Sequence, residues 1–448
     1  MAKVYTLSGY PEEVIAHAFA KTSRSPGSFQ DMINELTQDQ SDAFHSKWVL
    51  EYGHNSIAEH AVIHLAVEDV SRIAMAALEN GRLASYTEQS TRYQVKTSEH
   101  VFIDDSWEPE FVADYRKVCG KLFAVYDRIH ALAKEHGKKL GFTGYDFARF
   151  VLPLGTKVNT GITINARSLR RTLCKMLASE LPEVVSLAQQ IKDSALKVAP
   201  TLLRHVKPCP ITQALYVNGQ KLNLTESPPV CNNLEPIAVT CNYLDTDIQK
   251  IIAGLSYEYS DLEWTREKWI HSPLPELFNM FDQHASIPRA FEENMASFEI
   301  VSDYGSFYDM KRHRMASLLT QHKTLGKMGY IVPGAAVLEE INVLQEYLDA
   351  METVNIYATK WMHLPEHIYF YPNAYRIRYK MSMNLRELIE IIKLRGINKH
   401  GHTSYRCIGL KMLELAQAKC PDLFSWMNKW LTTDDTSKNM LKDYQLMV

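Results

Sequence analysis

The sequence has few of the features that would place it outside the ordinary globular proteins. Glycine and proline number 19 and 18 of 448 residues, which excludes a collagen-like or low-complexity chain. No apolar run approaches the roughly 18 residues that a membrane span needs, and the segment after Met1 lacks the apolar region of a secretory signal. With 46% hydrophobic and 23% charged residues, the chain is expected to be a folded cytoplasmic protein of two or three domains.

An excess of charge of one sign and paired cysteines are also missing. Lysine and arginine number 49 against 52 aspartates and glutamates, a net charge of -3, so no global field favours a nucleic-acid polymer or an anionic membrane. The seven cysteines are odd in number and scattered, without a Cys-x-x-Cys pair, and predict neither a disulfide framework nor a thiolate zinc site. An anionic ligand would therefore have to be held by local groups.

Three common active-site motifs are absent as well. The sequence contains no G-x-x-x-x-G-K-[ST] phosphate loop, no G-x-G-x-x-G dinucleotide motif and no G-x-S-x-G serine elbow. His60 and His64 are four residues apart, but no glutamate lies between them and no third ligand is evident, so they are interpreted as structural histidines and no metal is expected.

Two sequence patterns occur twice and indicate a tandem duplication. The pattern R-x-A-S-x-x-x-Q covers 82–89 and 314–321, and the pattern P-x11-N-x-R-x-L covers 153–169 and 372–388. The two patterns keep their order and have similar offsets, 232 and 219 residues. Each half of the chain is therefore expected to hold one copy of the same unit.

The segment between the halves is rich in residues that break regular structure. Five prolines and two Asn-containing turn pairs fall within 206–246, which predicts a linker there, an N-terminal domain over 1–205 and a C-terminal domain over 247–448. Val217 and 222–224 flank Asn218-Gly219, so a small hairpin inside the linker is one expectation.

Apolar spacing predicts helices in both halves and weaker strand signals between them. The segment 57–78 is typical of a helix that stops at Glu79-Asn80-Gly81, although 62–67 alternates like a strand leading into a helix, as does 297–301. A helix over 384–395 would place Asn384 and Arg395 on one face. The expected fold class is α+β.

Clustered arginines and small polar residues are the strongest chemical signal. Ser85, Glu88, Ser90 and Arg92 in one half, and the run Arg312-His313-Arg314 in the other, supply guanidinium donors, hydroxyls and a carboxylate within short loops. Such a set suits a phosphate together with a base edge, which favours a small nucleotide over a polymer. A solvated surface or a structural role is the alternative for any one of these arginines.

At these positions the sequence resembles the flavin-dependent thymidylate synthases, the ThyX family. The signature of that family is Arg-His-Arg, seven residues and then Ser, with Glu two before and Arg two after the Ser. The first half has Glu88, Ser90 and Arg92 in register but Asn80 and Gly81 at the start, whereas the second half has Arg312-His313-Arg314 followed by Thr320, His322 and Thr324. The halves thus hold complementary parts of the motif.

The resemblance extends to blocks before and after the signature. Arg149 before Leu-Pro is similar to a substrate-binding arginine, and Ile368 takes that place in the second half. Arg395 stands where the family has the arginine that activates the uracil, with Met176 in the first half, and Asp309 replaces a uracil-contacting glutamine. The resemblance implies substrate contacts at Arg312, Glu88, Ser90, Arg92, Arg149 and Asp309, and flavin contacts at His54, Ser56, Arg312, His313, Arg314, Glu88, Asn165, Arg167, Asn384 and Arg386.

The resemblance implies two tandem copies of a domain with a central antiparallel sheet packed with helices. It implies a methyltransferase that converts dUMP to dTMP, with FAD as cofactor and methylenetetrahydrofolate and NADPH as co-substrates. In the family, active sites form between subunits of a homotetramer, so here one composite site per chain and a homodimer that mimics the tetramer are expected. Two alternatives stay open: flavin-dependent modification of another pyrimidine nucleotide, and a non-catalytic flavin or nucleotide sensor.

Overall fold

The computed structural model describes residues 2–91, 94–140, 144–218, 235–259, 274–282 and 284–448. The chain divides into two compact units that are interleaved in sequence. The first unit consists of Met1–Val112, Leu154–Val230 and Met362–Glu366, and the second of Ala113–Pro153, Cys231–Trp361 and His367–Val448. No helix in the described part of the chain is long and apolar enough to cross a membrane.

The described residues form α-helices, shorter 3-10 and π segments, and strands. The α-helices are α1 (Glu12–Thr22), α2 (Phe29–Glu35), α3 (Gln38–His45), α4 (Arg72–Leu78), α5 (Pro109–Leu140), α6 (Gly144–Ala148), α7 (Ala166–Met176), α8 (Pro182–Ala195), α9 (Pro200–Leu203), α10 (Pro210–Asn218), α11 (Ile248–Tyr259), α12 (Leu274–Met280), α13 (Tyr304–Met310), α14 (Ala335–Glu340), α15 (Leu344–Lys360), α16 (Leu385–Ile391), α17 (Thr403–Lys419), α18 (Pro421–Phe424) and α19 (Ser437–Met440). The 3-10 segments are Ile57–Glu59, Arg149–Val151, Arg289–Glu292, His322–Thr324, Pro365–Phe370 and Ser425–Trp430, and the π segments are Ser46–Glu51 and Ile392–Ile397. The strands are β1 (Val62–Ser71), β2 (Ala84–Glu88), β3 (Lys157–Asn165), β4 (Ala238–Leu244), β5 (Met295–Asp303), β6 (Ser317–Gln321), β7 (Tyr330–Val332), β8 (Arg376–Asn384) and β9 (Gln445–Met447).

Two antiparallel sheets repeat the same strand order. The first sheet has the order β1-β3-β2, and the second has β5-β8-β6 with β4 added outside β5. The registers correspond, because β1 begins opposite the end of β3 (Val62 with Asn165) as β5 begins opposite the end of β8 (Met295 with Asn384). The expected α+β class, with two copies built on antiparallel sheets, is confirmed.

The same local signal starts the helix that follows each central strand. The side-chain oxygen of Asn165 accepts a hydrogen bond from the backbone N–H of Ser168, and that of Asn384 accepts from the N–H of Glu387. An N-cap of this kind satisfies one of the amide donors that a helix leaves unpaired at its start. The repeated Asn-x-Arg pattern therefore has a structural role in both copies.

The predicted continuous helix over 57–78 is wrong. Strand β1 occupies its middle part, Val62–Ser71, and α4 follows, with the Ser71 side chain accepting from the N–H of Ala74 at the junction. Ile63 and Val67 are buried in the core of the first unit, and a bulge after Val67 places Asp69 at a φ of 57°. β-branched residues favour the strand over a helix. The alternative expectations, a strand over 62–67 and another over 297–301, are confirmed, as is the stop after Leu78.

The predicted linker contains regular structure. Strand β4 lies inside 206–246 and pairs with β5, so it belongs to the second sheet. Val217 and Asn218 end α10, which is incompatible with a hairpin strand on that side, and 222–224 lie outside the described residues. The domains 1–205 and 247–448 stay a prediction from the sequence repeats. The compact units are divided differently, because Ala113–Pro153 belongs to the second unit and Met362–Glu366 to the first.

Helices α5 and α15 pack antiparallel within the second unit. Lys360 Nζ is 2.6 Å from Asp114 Oδ2, and the Trp361 indole N–H donates to the same carboxylate at 3.0 Å. Further along, Lys117 donates to the Tyr357 hydroxyl and Lys121 to the Thr353 hydroxyl. Each of the two helices comes from a different repeat, so the segment after α5 is held beside elements of the second repeat.

Candidate functional site

Arg395 lies on a π segment that interrupts the expected helix. Helix α16 ends at Ile391 and the π segment Ile392–Ile397 follows, so the expected regular helix over 384–395 is wrong beyond Ile391. The predicted alignment of Asn384 and Arg395 on one face assumed 3.6 residues per turn throughout. A π turn inside a helix often marks a functional position because it displaces one side chain from the regular spacing.

A hydrogen-bonded chain connects Arg395 to His313 and Glu387. Arg395 Nε donates to His313 Nε2 at 2.9 Å, and His313 Nδ1 lies 3.3 Å from Glu387 Oε1. Since Nε2 accepts, the network assigns the imidazole proton to Nδ1, which donates to the carboxylate. The Arg395 guanidinium also lies 5.2 Å from the ring centroid of Tyr405. Arg395 is thereby fixed at its Nε and across its plane.

Burial keeps His313 neutral. The side chain is 6% exposed, and burial lowers its pKa below the ordinary 6.5, an effect that the hydrogen bond to Glu387 opposes and the Arg395 charge reinforces. A neutral imidazole can accept from Arg395, whereas a protonated one cannot. Sequence reasoning named His313 and Arg395 but missed Glu387, although its position three residues after the capping Asn384 places it in the first helical turn.

Arg149, Asp309 and Arg312 form a second charged cluster in the same unit. Arg149 lies on the 3-10 segment after α6, is 4% exposed, and its Nη2 is 3.4 Å from Asp309 Oδ2. The other carboxylate oxygen of Asp309 is 3.5 Å from Arg312 Nη1, and Arg312 is exposed. A residue of the first repeat, Arg149, thus lies beside two predicted site residues of the second repeat.

The backbone around Arg149 is anchored to the second repeat. The Asn373 side-chain amide donates to the Arg149 carbonyl at 2.9 Å, and Ala374 N–H donates to the Phe150 carbonyl. Gly305 leaves room for the guanidinium, because a Cβ there would lie 2.7 Å from Arg149 Nη2. The buried Asp303 lies nearby; burial raises its pKa, and the Arg149 charge counteracts that shift.

The first unit contains Glu88 and a neighbouring cleft. Glu88 ends β2, and its Oε1 is 3.3 Å from Nη1 of the buried Arg72. Gln89 accepts from the buried Lys96 at 2.8 Å, and burial lowers the pKa of that lysine. The cleft has a volume of about 340 Å³ and is lined by Ala66, Val67, Glu68, Thr87, Glu88, Gln89, Asn159, Thr160 and Gly161. Arg72 and Lys96 were missed by sequence reasoning, which had no pattern to connect them to Glu88.

The remaining residues predicted to contact flavin or substrate, where the structure describes them, lie at partly or fully exposed positions. His54 is exposed with its ring 5.7 Å from that of Trp48, and Ser56 precedes the 3-10 segment Ile57–Glu59. Arg167 forms an ion pair with Glu59, and Arg386 forms one with Glu292 at 2.7 Å. Ser90 and Arg314 are half-buried, and Arg92 lies outside the described residues.

The first repeat has no room for the His313–Arg395 arrangement. Gly81 occupies the position that corresponds to His313, and a Cβ there would lie 2.7 Å from the Tyr86 hydroxyl and 3.0 Å from Thr172 Oγ1. Met176, which corresponds to Arg395, is 2% exposed in the apolar core. In the first repeat, packed side chains therefore leave no room for a histidine at position 81, and an apolar residue is buried at position 176.

His60 and His64 do not share a helical face. His60 ends the 3-10 segment with its ring against Phe19, and His64 lies on β1, where its Nδ1 is 3.0 Å from Thr163 Oγ1. Among the described residues, no three His, Cys, Asp or Glu side chains converge in a way that could hold a metal ion.

Comparison with known proteins identifies the family. The model of the family described as "Thymidylate synthase complementing protein" matches residues 4–201 and 249–422. The chain belongs to this family. The family model thus matches the chain twice, and each matched segment contains one copy of each of the two repeated sequence patterns and three strands paired in the order described above.

Some relatives match nearly the whole chain, and others match about half of it. A "UPF0159 protein" of Chlamydia muridarum is 25% identical over 91% of this chain and 88% of its own length, and one of Thermoplasma acidophilum is 24% identical over 90% and 91%. The "Flavin-dependent thymidylate synthase" of Saccharolobus solfataricus is 29% identical over 49% of this chain and 81% of its own length. A solved structure of the Helicobacter pylori enzyme, described as complexed with FAD and dUMP, aligns with a TM-score of 0.33 at 20% identity over 44% of this chain and 96% of its own.

Proposed function

We propose that the protein is a flavin-dependent thymidylate synthase that converts dUMP to dTMP, with methylenetetrahydrofolate as carbon donor and NADPH as the source of reducing equivalents. Family membership supports a flavin-dependent nucleotide enzyme. The observation that carries the more specific proposal is the division of the family motif, since each half keeps the parts that the other has lost. Random decay of a dead copy would not be expected to leave complementary sets.

The composite site takes residues from both repeats. Arg312, Arg395 and Asp309 come from the second repeat, and Glu88, Ser90, Arg92 and Arg149 from the first. The ion pair between Arg149 and Asp309 supports this combination, because both residues belong to the second unit despite their different repeats. One such site per chain, and a homodimer in place of the homotetramer implied by the family resemblance, complete the proposal.

Arg395 activates the pyrimidine ring. Carbon C5 of uracil is a weak nucleophile, so methylation needs either a covalent thiolate adduct or a group that stabilises negative charge on the ring. Cys407, the cysteine nearest to Arg395 in sequence, is fully buried and burial raises its pKa to about 12, which disfavours the thiolate. The guanidinium of Arg395, oriented by the neutral His313, stabilises the deprotonated ring instead.

The donor set of this chain fits FAD. Arg167 in the first unit, and Arg312 and Arg386 in the second, have partly exposed guanidinium groups with five N–H donors each. Each of them can therefore donate to a phosphate while keeping its carboxylate partner. Asn165 and Asn384 use only their side-chain oxygens as helix caps, so each amide nitrogen can still donate to a ligand. Reduced flavin supplies a hydride when bound.

The proposal is tested by tritium release from C5-labelled dUMP with FAD, NADPH and methylenetetrahydrofolate. We expect release that requires flavin and is lost in Arg395→Ala. The matched control is Arg289→Ala, which removes a 77% exposed arginine of the same unit and is expected to keep wild-type release. Equal release from Arg395→Ala and wild type would contradict the assignment of Arg395, and no release from the folded, flavin-loaded protein would contradict the activity.

A second candidate, modification of another pyrimidine nucleotide, is favoured by Asp309. A carboxylate only accepts hydrogen bonds, so it suits a ring edge that donates, such as an amino group, better than the edge of uracil with its carbonyl oxygens. Turnover of a different pyrimidine nucleotide, together with failure on dUMP, would select this candidate.

A further inference from the structure

Asp309 places a negative charge between two cationic side chains. Its Oδ2 faces Arg149 Nη2 at 3.4 Å and its Oδ1 faces Arg312 Nη1 at 3.5 Å. A phosphate group bound between two arginines is arranged in the same way, with two of its oxygens directed at different guanidinium groups. The carboxylate therefore occupies the electrostatic position of an anionic ligand.

The two contacts are longer than two arginine–carboxylate ion pairs of buried arginines in the same unit. Arg378 lies 2.6 Å from Glu299, and Arg406 lies 2.7 Å from Asp435. Charge-assisted N–H···O bonds are normally about 2.7–2.9 Å long. Asp309 thus contacts its two arginines less closely than Glu299 and Asp435 contact theirs.

Arg149 is held close to this carboxylate by its surroundings. Arg149 is buried, its carbonyl is held by Asn373, and its guanidinium lies in the space that Gly305 leaves open. Arg312, in contrast, has a side chain that is 65% exposed. An anion that approaches the exposed side of the pair meets Arg149 and Arg312 with their positive charge already partly neutralised.

We propose that Asp309 is an internal counter-anion that weakens the binding of phosphate-bearing ligands by Arg149 and Arg312. The inference rests on the proposed function only for the nucleotide nature of the ligand, since the charge argument applies to any phosphate. A site that binds its substrate phosphate too tightly would also retain the product, which carries the same phosphate. Asp309 sets this affinity through its charge beside the two arginines.

The test compares ligand binding to the full-length protein by titration calorimetry with dUMP, inorganic phosphate and uridine. Asp309→Asn keeps the shape of the side chain and removes its charge, so dUMP and phosphate should bind about tenfold more tightly, whereas uridine, which lacks the phosphate, should bind as to the wild type. Asp309→Glu restores the charge and should return the affinity towards that of the wild type. The matched control is Glu346→Gln, which removes one carboxylate from an exposed ion pair with Arg128 and should leave all three affinities unchanged.

A double variant makes the interpretation specific. In the Arg312→Gln background, Asp309→Asn should tighten dUMP and phosphate binding by a smaller factor, because Arg312 no longer contributes a positive charge. If Asp309→Asn impairs folding, Asp309→Ser removes the same negative charge and replaces it in the test. Unchanged or weaker binding of both anions by the neutral variants, or an equal gain for uridine, would overturn the inference. If dUMP is not turned over but the neutral variants bind phosphate more tightly, the proposed function fails and the role of Asp309 stands.

Discussion

At the scale of single residues, the second repeat shows how burial and one hydrogen bond can fix an arginine. His313 accepts from Arg395 only while its imidazole is neutral, and burial lowers the pKa of His313 below 6.5. Protonation would turn Nε2 into a donor and place a positive charge against the guanidinium. The orientation of Arg395 is therefore linked to pH.

The first prediction concerns the acid side of the pH–activity profile. Wild-type tritium release should fall only below pH 6.5, as His313 becomes protonated. The hydrogen bond to Glu387 raises the pKa of His313, so Glu387→Gln should lower that pKa and move the acid limb to lower pH. The measurement is the pH dependence of kcat for both proteins. A shift of the limb to higher pH in Glu387→Gln would contradict the hydrogen-bonded chain.

The second prediction concerns Met176, the counterpart of Arg395. Arginine at this position would place a charge in the apolar core of the first unit, so Met176→Arg should create no second site and should lower the free energy of unfolding by roughly 3 kcal/mol or more. Chemical denaturation measures the loss. Met280→Arg, at a methionine that is 78% exposed on α12, is the control and should be nearly neutral. A stable Met176→Arg protein with increased activity would show that the first repeat is not degenerate.

At the scale of secondary-structure elements, the sequence predicts local signals well and their tertiary context poorly. A helix starts at each of the two Asn-x-Arg patterns, with the asparagine as N-cap. An N-cap can be recognised in the sequence because it depends only on neighbours within three residues. The helix over 57–78 fails, because the apolar spacing of β1 is compatible with both periods and only pairing with β3 decides between them. The π segment that carries Arg395 has no signature in local propensity.

The third prediction concerns the buried carboxylate that connects α1 to α9. Glu13 accepts from the N–H groups of Thr201 and Leu202, and burial raises its pKa to about 7 despite those donors. A folded-state pKa above the ordinary 4.5 contributes stability at low pH that is lost as the pH rises through about 7. Glutamine cannot ionise, so Glu13→Gln should escape this loss.

The measurement is the melting temperature of Glu13→Gln minus that of the wild type between pH 5 and pH 8. This difference should rise with pH, by an amount equivalent to at most about 3 kcal/mol. Glu35→Gln removes a largely exposed carboxylate that pairs with Lys21, and its difference should stay constant. A difference that is constant or falls with pH for Glu13→Gln would contradict the raised pKa.

At the scale of the whole molecule, the two copies of the family unit keep different residues of the family motif. The second repeat keeps the Arg-His-Arg run and Arg395. In the first repeat Tyr86 packs against Gly81, the counterpart of His313, and Met176, the counterpart of Arg395, is buried in the apolar core. Breaker residues could not predict that Ala113–Pro153 belongs to the second unit, because this depends on side-chain contacts between α5 and α15. The complementary motifs of the two halves, in contrast, can be recognised from the sequence alone.

The most direct test of the composite site uses one variant in each repeat. Tritium release from C5-labelled dUMP is measured for Glu88→Gln in the first repeat and Arg395→Gln in the second, with Arg289→Gln and Glu346→Gln as exposed controls from the second unit. A single site built from both repeats predicts that each of the first two variants loses release by at least about a hundredfold, while both controls retain it. Wild-type release from the Glu88→Gln protein would show that the second repeat acts without the first and would contradict the composite site.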